Sequence, residues 1–147
     1  MQPIKIITVG KLKNTSLKAE VSELMKRLRR VDLIELKEIK DSNSQKIKEK
    51  EFEILTSYID SSSYSFLLWE HGKTYSTKNF YDTISKKEKP IIFIITGAFG
   101  PSEKLIQHVD ATLSLSEMTF THEQALYMLV EQIYRVDQLE KGTSYTK

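Results

Sequence analysis

The chain has 147 residues, no cysteine and a formal net charge of +2, from 22 Lys and Arg against 20 Asp and Glu. That length fits a single domain over residues 1–147, able to bury a core without disulfide or metal staples, and the missing cysteines exclude a disulfide framework and a thiolate metal site. No apolar stretch approaches bilayer-spanning length, and Met1-Gln2-Pro3 leads into a strand-like run rather than a signal peptide, which fits a cytoplasmic protein.

Strands and helices alternate along the sequence. Lys5–Val9 reads as a buried strand ended by Gly10. Leu17, Val21, Leu24, Met25 and Leu28 recur at helical spacing and predict a helix from about Ser16 to Arg30. Leu33–Ile39 is a second strand, and Ile47, Phe52, Leu55 and Ile59 support a helix ending near Asp60. Ser65–Trp69 is a third strand closed by His71-Gly72, and a short helix covers about Thr77 to Lys86. Ile91–Ile95 is the fourth strand, with Pro101-Ser102-Glu103 suited to the first turn of a helix that ends near Val109. Ala111–Ser114 is a short fifth strand, and Thr121-His122-Glu123-Gln124 has the form of a capping box opening the last helix. Continuous apolar strands imply burial on both faces, hence an α/β fold with a mostly parallel sheet.

Candidate chemistry gathers in the last third. The fourth strand breaks at Thr96-Gly97-Ala98-Phe99-Gly100, where glycine lets a ligand approach the main chain; without a ligand the same turn simply joins strand to helix. No phosphate-loop lysine or full dinucleotide fingerprint is present, which argues against a nucleotide-triphosphate site. The loop Leu115–Phe120 mixes apolar side chains with Ser116 and Thr119, a composition for enclosing an apolar-faced ring, or for a packed connection. On the last helix Met128, Leu129, Ile133 and Val136 form one stripe, read as core or subunit interface, and Glu131 and Arg135 stand four apart as a helix pair. His71, His108 and His122 lack metal-ligand spacing, so no metal is expected. Between Lys11 and Arg30, seven basic residues stand against Glu20 and Glu23, a local excess of +5 (seven minus two). This run reads either as a solvated helix face or as a phosphate-contacting patch.

Taken together, the glycine turn after strand four, Leu113-Ser114-Leu115-Ser116-Glu117-Met118-Thr119-Phe120 followed by His122, Glu131-Gln132-Ile133-Tyr134-Arg135 and the terminal Gly142-Thr143-Ser144-Tyr145 resemble the RlmH family. These are small SPOUT-class methyltransferases acting on N3 of a pseudouridine in 23S ribosomal RNA. The resemblance starts at the opening strand with Val9-Gly10-Lys11-Leu12-Lys13 and covers nearly the whole chain. It implies a SPOUT-type α/β knot: a mostly parallel sheet of five to six strands, helices on both faces and a C-terminal trefoil knot. It also implies a homodimer and the cofactor S-adenosyl-L-methionine. The cofactor contacts it implies are Leu68, Thr96, Gly97, Gly100, Leu115, Ser116, Glu117, Met118, Thr119 and Phe120. Lys11, Lys13, Arg27, Arg29 and Arg30 are the expected contacts to rRNA. No catalytic residue is assigned, with Arg135, Tyr145 and His122 as candidates. The chain departs from the family pattern at Thr96, Leu126 and Thr146, where glycine, arginine and histidine are usual. An alternative is a knotted cofactor- and RNA-binding module with lost or altered catalysis.

Overall fold

Five strands, β1 (Ile4–Val9), β2 (Val31–Leu36), β3 (Tyr64–Thr74), β4 (Ile91–Ile95) and β5 (Ala111–Ser114), form one parallel sheet in the order β2-β1-β4-β3-β5. The structure is a computed structural model and describes residues 1–145. Helices α1 (Thr15–Arg27), α2 (Ser44–Thr56), α3 (Thr77–Ser85), α4 (Glu103–His108) and α5 (His122–Glu140) alternate with the strands.

Strand side chains alternate between faces, so each strand feeds two cores. Ile6, Phe66, Phe93 and Ile95 pack under α1, α3 and α5. Ile7, Leu67, Ile92 and Ile94 pack under Leu55 of α2 and Leu105 of α4. All five residues of β4 are buried, as its unbroken apolar run requires.

Local signals set the ends of the helices. Asn14, Asn43, Ser76, Ser102 and Thr121 each accept a backbone N–H of the following turn, so every helix has a side-chain N-cap. The expected capping box is present, Thr121 and Gln124 bonding reciprocally. Helix α1 stops at Arg27, before Arg30, because Leu28 turns extended to start the approach to β2. Helix α2 stops at Thr56, before Asp60, with Ser57 closing its last turn. Pro101 precedes the Ser102 cap and so lies outside the helix it was expected to open.

Strand β3 differs most from expectation. It runs past Gly72 to Thr74. Its first half pairs with β5 through Leu68 and Leu113, and after a register shift Leu113 pairs again, with Lys73, and Ser114 with Thr74. A strand residue pairs once along each edge. Residues Trp69–Gly72 therefore carry the chain from one edge of β5 to the other. At Gly72 this crossing runs onto the β5 backbone: a Cβ there would lie 2.9 Å from Leu113 N and 3.0 Å from the Thr112 carbonyl carbon. No local pattern announces this, because the crossing is made by a partner strand some forty residues away.

Gly72→Ala should lower stability by about 1–3 kcal/mol, the usual cost of overpacking against atoms that cannot retreat. Chemical denaturation at unchanged m-value measures this; stability equal to wild type would show that β5 is not fixed against Gly72.

Candidate functional site

A cavity of 530 Å³ opens at the carboxyl ends of β3, β4 and β5, where open parallel sheets hold ligands. Its buried wall includes Leu68 from the middle of β3, Ile95 at the end of β4 and Leu113 one residue before the end of β5. Thr96, Gly97 and Gly100 line one side and Leu115, Ser116, Met118, Thr119 and Phe120 another. The two loops singled out in the sequence thus face one space.

Each loop is shaped by hydrogen bonds within it. Gly100 N–H donates to Gly97 O at 3.1 Å, closing a turn whose last residue sits at φ +77°, a conformation suited to glycine. That turn leaves Phe99 at the rim, 55 % exposed. In the second loop Ser114 Oγ donates to Ser116 O at 2.8 Å, and Met118 N–H donates to Ser116 Oγ at 3.0 Å. The bend turns Glu117 to solvent, so of the ten expected cofactor contacts it alone does not line the cavity. Met118 lines it while remaining 77 % exposed.

Of the three candidates for catalysis, only His122 lines the cavity. Its Nε2 is in hydrogen-bond contact with the hydroxyl of the fully buried Thr8. Burial holds the imidazole below the ordinary histidine range, against the opposing pull of Glu123, Glu35 and Glu38. The neighbouring Glu123 accepts the backbone N–H groups of Lys13 and Asn14, the latter at 2.9 Å, and Glu35 accepts that of Leu12 at 2.8 Å. The loop after β1 is therefore tied to the start of α5 beside the cavity. Arg135 and Tyr145 lie elsewhere, at the far end of α5. Arg135 Nε donates to Glu131 at 2.8 Å, Tyr145 Oη bonds Glu131 at 3.1 Å, and the guanidinium lies 5.2 Å from the Tyr145 ring centre. Glu131 and Arg135 form the ordinary helix pair their spacing suggested.

The basic run is divided. Lys11 and Lys13 sit in the loop after β1, at the cavity end of the sheet. Arg27 ends the 13-residue α1 and Arg29 and Arg30 follow it, about 20 Å away along the helix. Arg27 pairs with Glu23 at 3.2 Å and Arg30 donates to Met1 O at 2.9 Å, while Lys13 lies 3.9 Å from Glu38.

Several cavity residues carried no local signal. Trp69, Glu70 and His71 line it because they belong to the crossing over β5, and Lys48 reaches it from α2. Leu126 is fully buried and packs into the core, so it offers no polar group to the site. Thr96 is 7 % exposed and lines the cavity. Thr146 lies outside the described residues. Met128 departs from its expected stripe: it is 41 % exposed and lines a second cavity of 210 Å³ with Tyr75 and Gln132, while Leu129, Ile133 and Val136 are buried.

Comparison with known proteins decides the family. The family model described as "Predicted SPOUT methyltransferase" matches residues 1–146. The chain belongs to the SPOUT methyltransferase family. Within it, the chain is 36 % identical over 157 residues to "Ribosomal RNA large subunit methyltransferase H" of Bacillus pumilus, covering 98 % of this chain and 99 % of that protein. It is 38 % identical to the protein of the same name from Dictyoglomus thermophilum, covering 97 % of each. A solved structure of a "probable methylase family protein" from Haemophilus influenzae aligns with a TM-score of 0.64 at 9 % identity, covering 99 % of this chain and 71 % of that one, a likeness of fold. The RlmH resemblance and the SPOUT α/β fold read from the sequence both hold.

A histidine whose pKa is lowered by folding contributes stability that is present above its unfolded value and lost as pH falls through the folded one. NMR titration should therefore find the His122 imidazole protonating below the ordinary range, with stability declining between the ordinary value and that lower one and levelling off once the folded imidazole is protonated. Protonation at or above that range would contradict the burial described.

Proposed function

We propose that this chain transfers a methyl group from S-adenosylmethionine to N3 of a pseudouridine in large-subunit ribosomal RNA. The observation that carries the reading is the convergence of the Thr96–Gly100 turn and the Leu115–Phe120 loop on one cavity, in a chain of this family. The cavity falls within the size range of small-molecule sites, about 300–1,000 Å³. Its apolar wall suits the faces of a purine ring, and its two turns offer main-chain groups to polar edges. The glycines of its turn are not followed by the Lys-Ser/Thr of a triphosphate-binding loop.

In this reading Leu68, Leu113 and Leu115 enclose the cofactor's ring, while the Thr96–Gly97 turn and the Ser116–Thr119 backbone hold its polar groups. When bound, S-adenosylmethionine supplies an electrophilic methyl on a sulfonium. The chain's own contribution is placement and proton management. Methylation at N3 requires the imide proton of the base to leave. His122 is the group assigned to accept that proton: it lines the cavity, burial keeps it neutral, and Thr8 fixes its ring. Lys11 and Lys13 contact rRNA phosphates beside the cavity, and Arg27, Arg29 and Arg30 contact a more distant part of the RNA. The protein acts as a homodimer in the cytoplasm, with exposed Met128 and Phe120 in the subunit contact. The crossing over β5 belongs to a C-terminal trefoil knot, a topology otherwise very rare in folds.

Purified protein with S-adenosylmethionine and unmodified ribosomes should produce methylated pseudouridine, read by nucleoside mass spectrometry. His122→Asn should lower kcat by about 100-fold or more while leaving cofactor affinity unchanged. Joint Lys11→Ala and Lys13→Ala should weaken ribosome binding and flatten its salt dependence. Cofactor binding without any methylated product would favour the altered module, and absence of both would overturn the reading.

A further inference from the structure

Glu51 lies on the face of α2 that packs against the sheet and is 3 % exposed. Its Oε1 accepts the Gly97 N–H at 3.0 Å. A Cβ built on Gly97 would stand 3.1 Å from Glu51 Oε2. The empty side of Gly97 is thus turned toward this carboxylate rather than into the cavity, a contact that neither sequence reading of the turn, ligand approach or plain strand–helix connection, included. Gly97 O meanwhile accepts the Gly100 N–H. Both backbone polar groups of Gly97 are engaged, one by the turn itself and one by a side chain from another element.

That side chain is an expensive choice for a purely structural role. Burial pushes the Glu51 carboxyl above the usual carboxylate range; the Gly97 hydrogen bond and Lys48 oppose this, and Glu38 adds to it. No cation pairs with it among the described residues. A poorly compensated carboxylate in an apolar layer costs stability that a leucine of similar volume would not. Such exceptions to an otherwise consistent core concentrate at functional positions. Lys48, one turn earlier on the same helix, does line the cavity, so this part of α2 lies directly behind the wall.

We propose that Glu51 is a positioning residue of the methyl-donor site, holding the Thr96–Gly97 turn against α2 so that the cavity wall is set before a ligand arrives. The proposal rests on the reading of this cavity as the S-adenosylmethionine site. It assigns Glu51 no contact with cofactor or substrate; the residue acts through the Gly97 amide.

Glu51→Leu and Glu51→Gln separate the possibilities. Leucine removes the acceptor and the charge, whereas glutamine keeps an acceptor oxygen and removes the charge alone. Calorimetry should find S-adenosylmethionine bound about tenfold more weakly by E51L, the loss of one hydrogen bond, and near wild-type affinity in E51Q. In the ligand-free protein, amide hydrogen exchange over Ile95–Gly100 should quicken in E51L and stay slow in E51Q, with no fall in Tm for either. A merely structural glutamate would instead lower Tm and leave affinity unchanged in the folded variants. Wild-type affinity in E51L, equal weakening in both variants, or unaltered exchange at the turn would each overturn the proposal. If the wild-type protein itself fails to bind S-adenosylmethionine, the reading of the cavity falls, and the exchange measurement alone still judges the tie between Glu51 and the turn.

Discussion

The close approach of Gly72 to the backbone of β5 is the constraint on which the rest of this structure depends. Because the chain crosses β5 there, a four-residue strand at the end of the sheet order is paired with β3 on both sides. A strand this short has few hydrogen bonds of its own and would be a weak edge in an open sheet. Held between the two halves of β3, it fixes where the Leu115–Phe120 loop departs. The crossing also brings Trp69, Glu70 and His71 to the rim of the same cavity. Two segments distant in sequence, the crossing and the Leu115–Phe120 loop, are thereby fixed relative to one another by one backbone contact.

The second organising feature is where the fold tolerates buried polarity. Among the described residues six polar or charged ones are buried: Thr8, Glu51, Ser65, Thr96, Ser102 and Ser114. Ser65 and Ser102 serve the framework, the first bonding Asp110 and the second capping α4. The other four surround the cavity. Thr96 and Ser114 line it, Thr8 orients His122, and Glu51 holds Gly97 from behind. Elsewhere the strands are filled by Ile, Leu, Val and Phe. Polarity is thus concentrated at one end of the sheet, and burying it costs stability unless each group is hydrogen-bonded. Burial pushes both His122 and Glu51 toward their neutral forms.

Much of this was legible in the sequence. The unbroken run Ile91–Ile95 could only be a strand buried on both faces, and Thr121 with Gln124 fixed the start of α5 to the residue. The two loops of the cavity were visible because glycine and mixed polar–apolar composition mark them locally. What was not legible depends on contacts between distant segments. The extension of β3 through Thr74 follows from pairing with β5, and His71-Gly72 read alone looks like a strand's end. Glu51 looks like one more acidic residue in a charged helix until Gly97 is placed over it. The basic run looked continuous because its residues are adjacent in sequence, whereas α1 separates its two ends in space. Met128 shows the same limit on a helix: periodicity gives a stripe, but only packing shows which side of it meets the sheet.

The central claim is that two loops, one held by the crossing of β5 and the other by Glu51, enclose a methyl donor. A crystal structure of the protein with S-adenosylmethionine tests it most directly. The account predicts density for the cofactor between the Thr96–Gly100 turn and the Leu115–Phe120 loop, its ring against Leu68 and Leu113, with the Glu51–Gly97 hydrogen bond unchanged. Cofactor bound at another surface, or a cavity rebuilt by separation of the two loops, would contradict it.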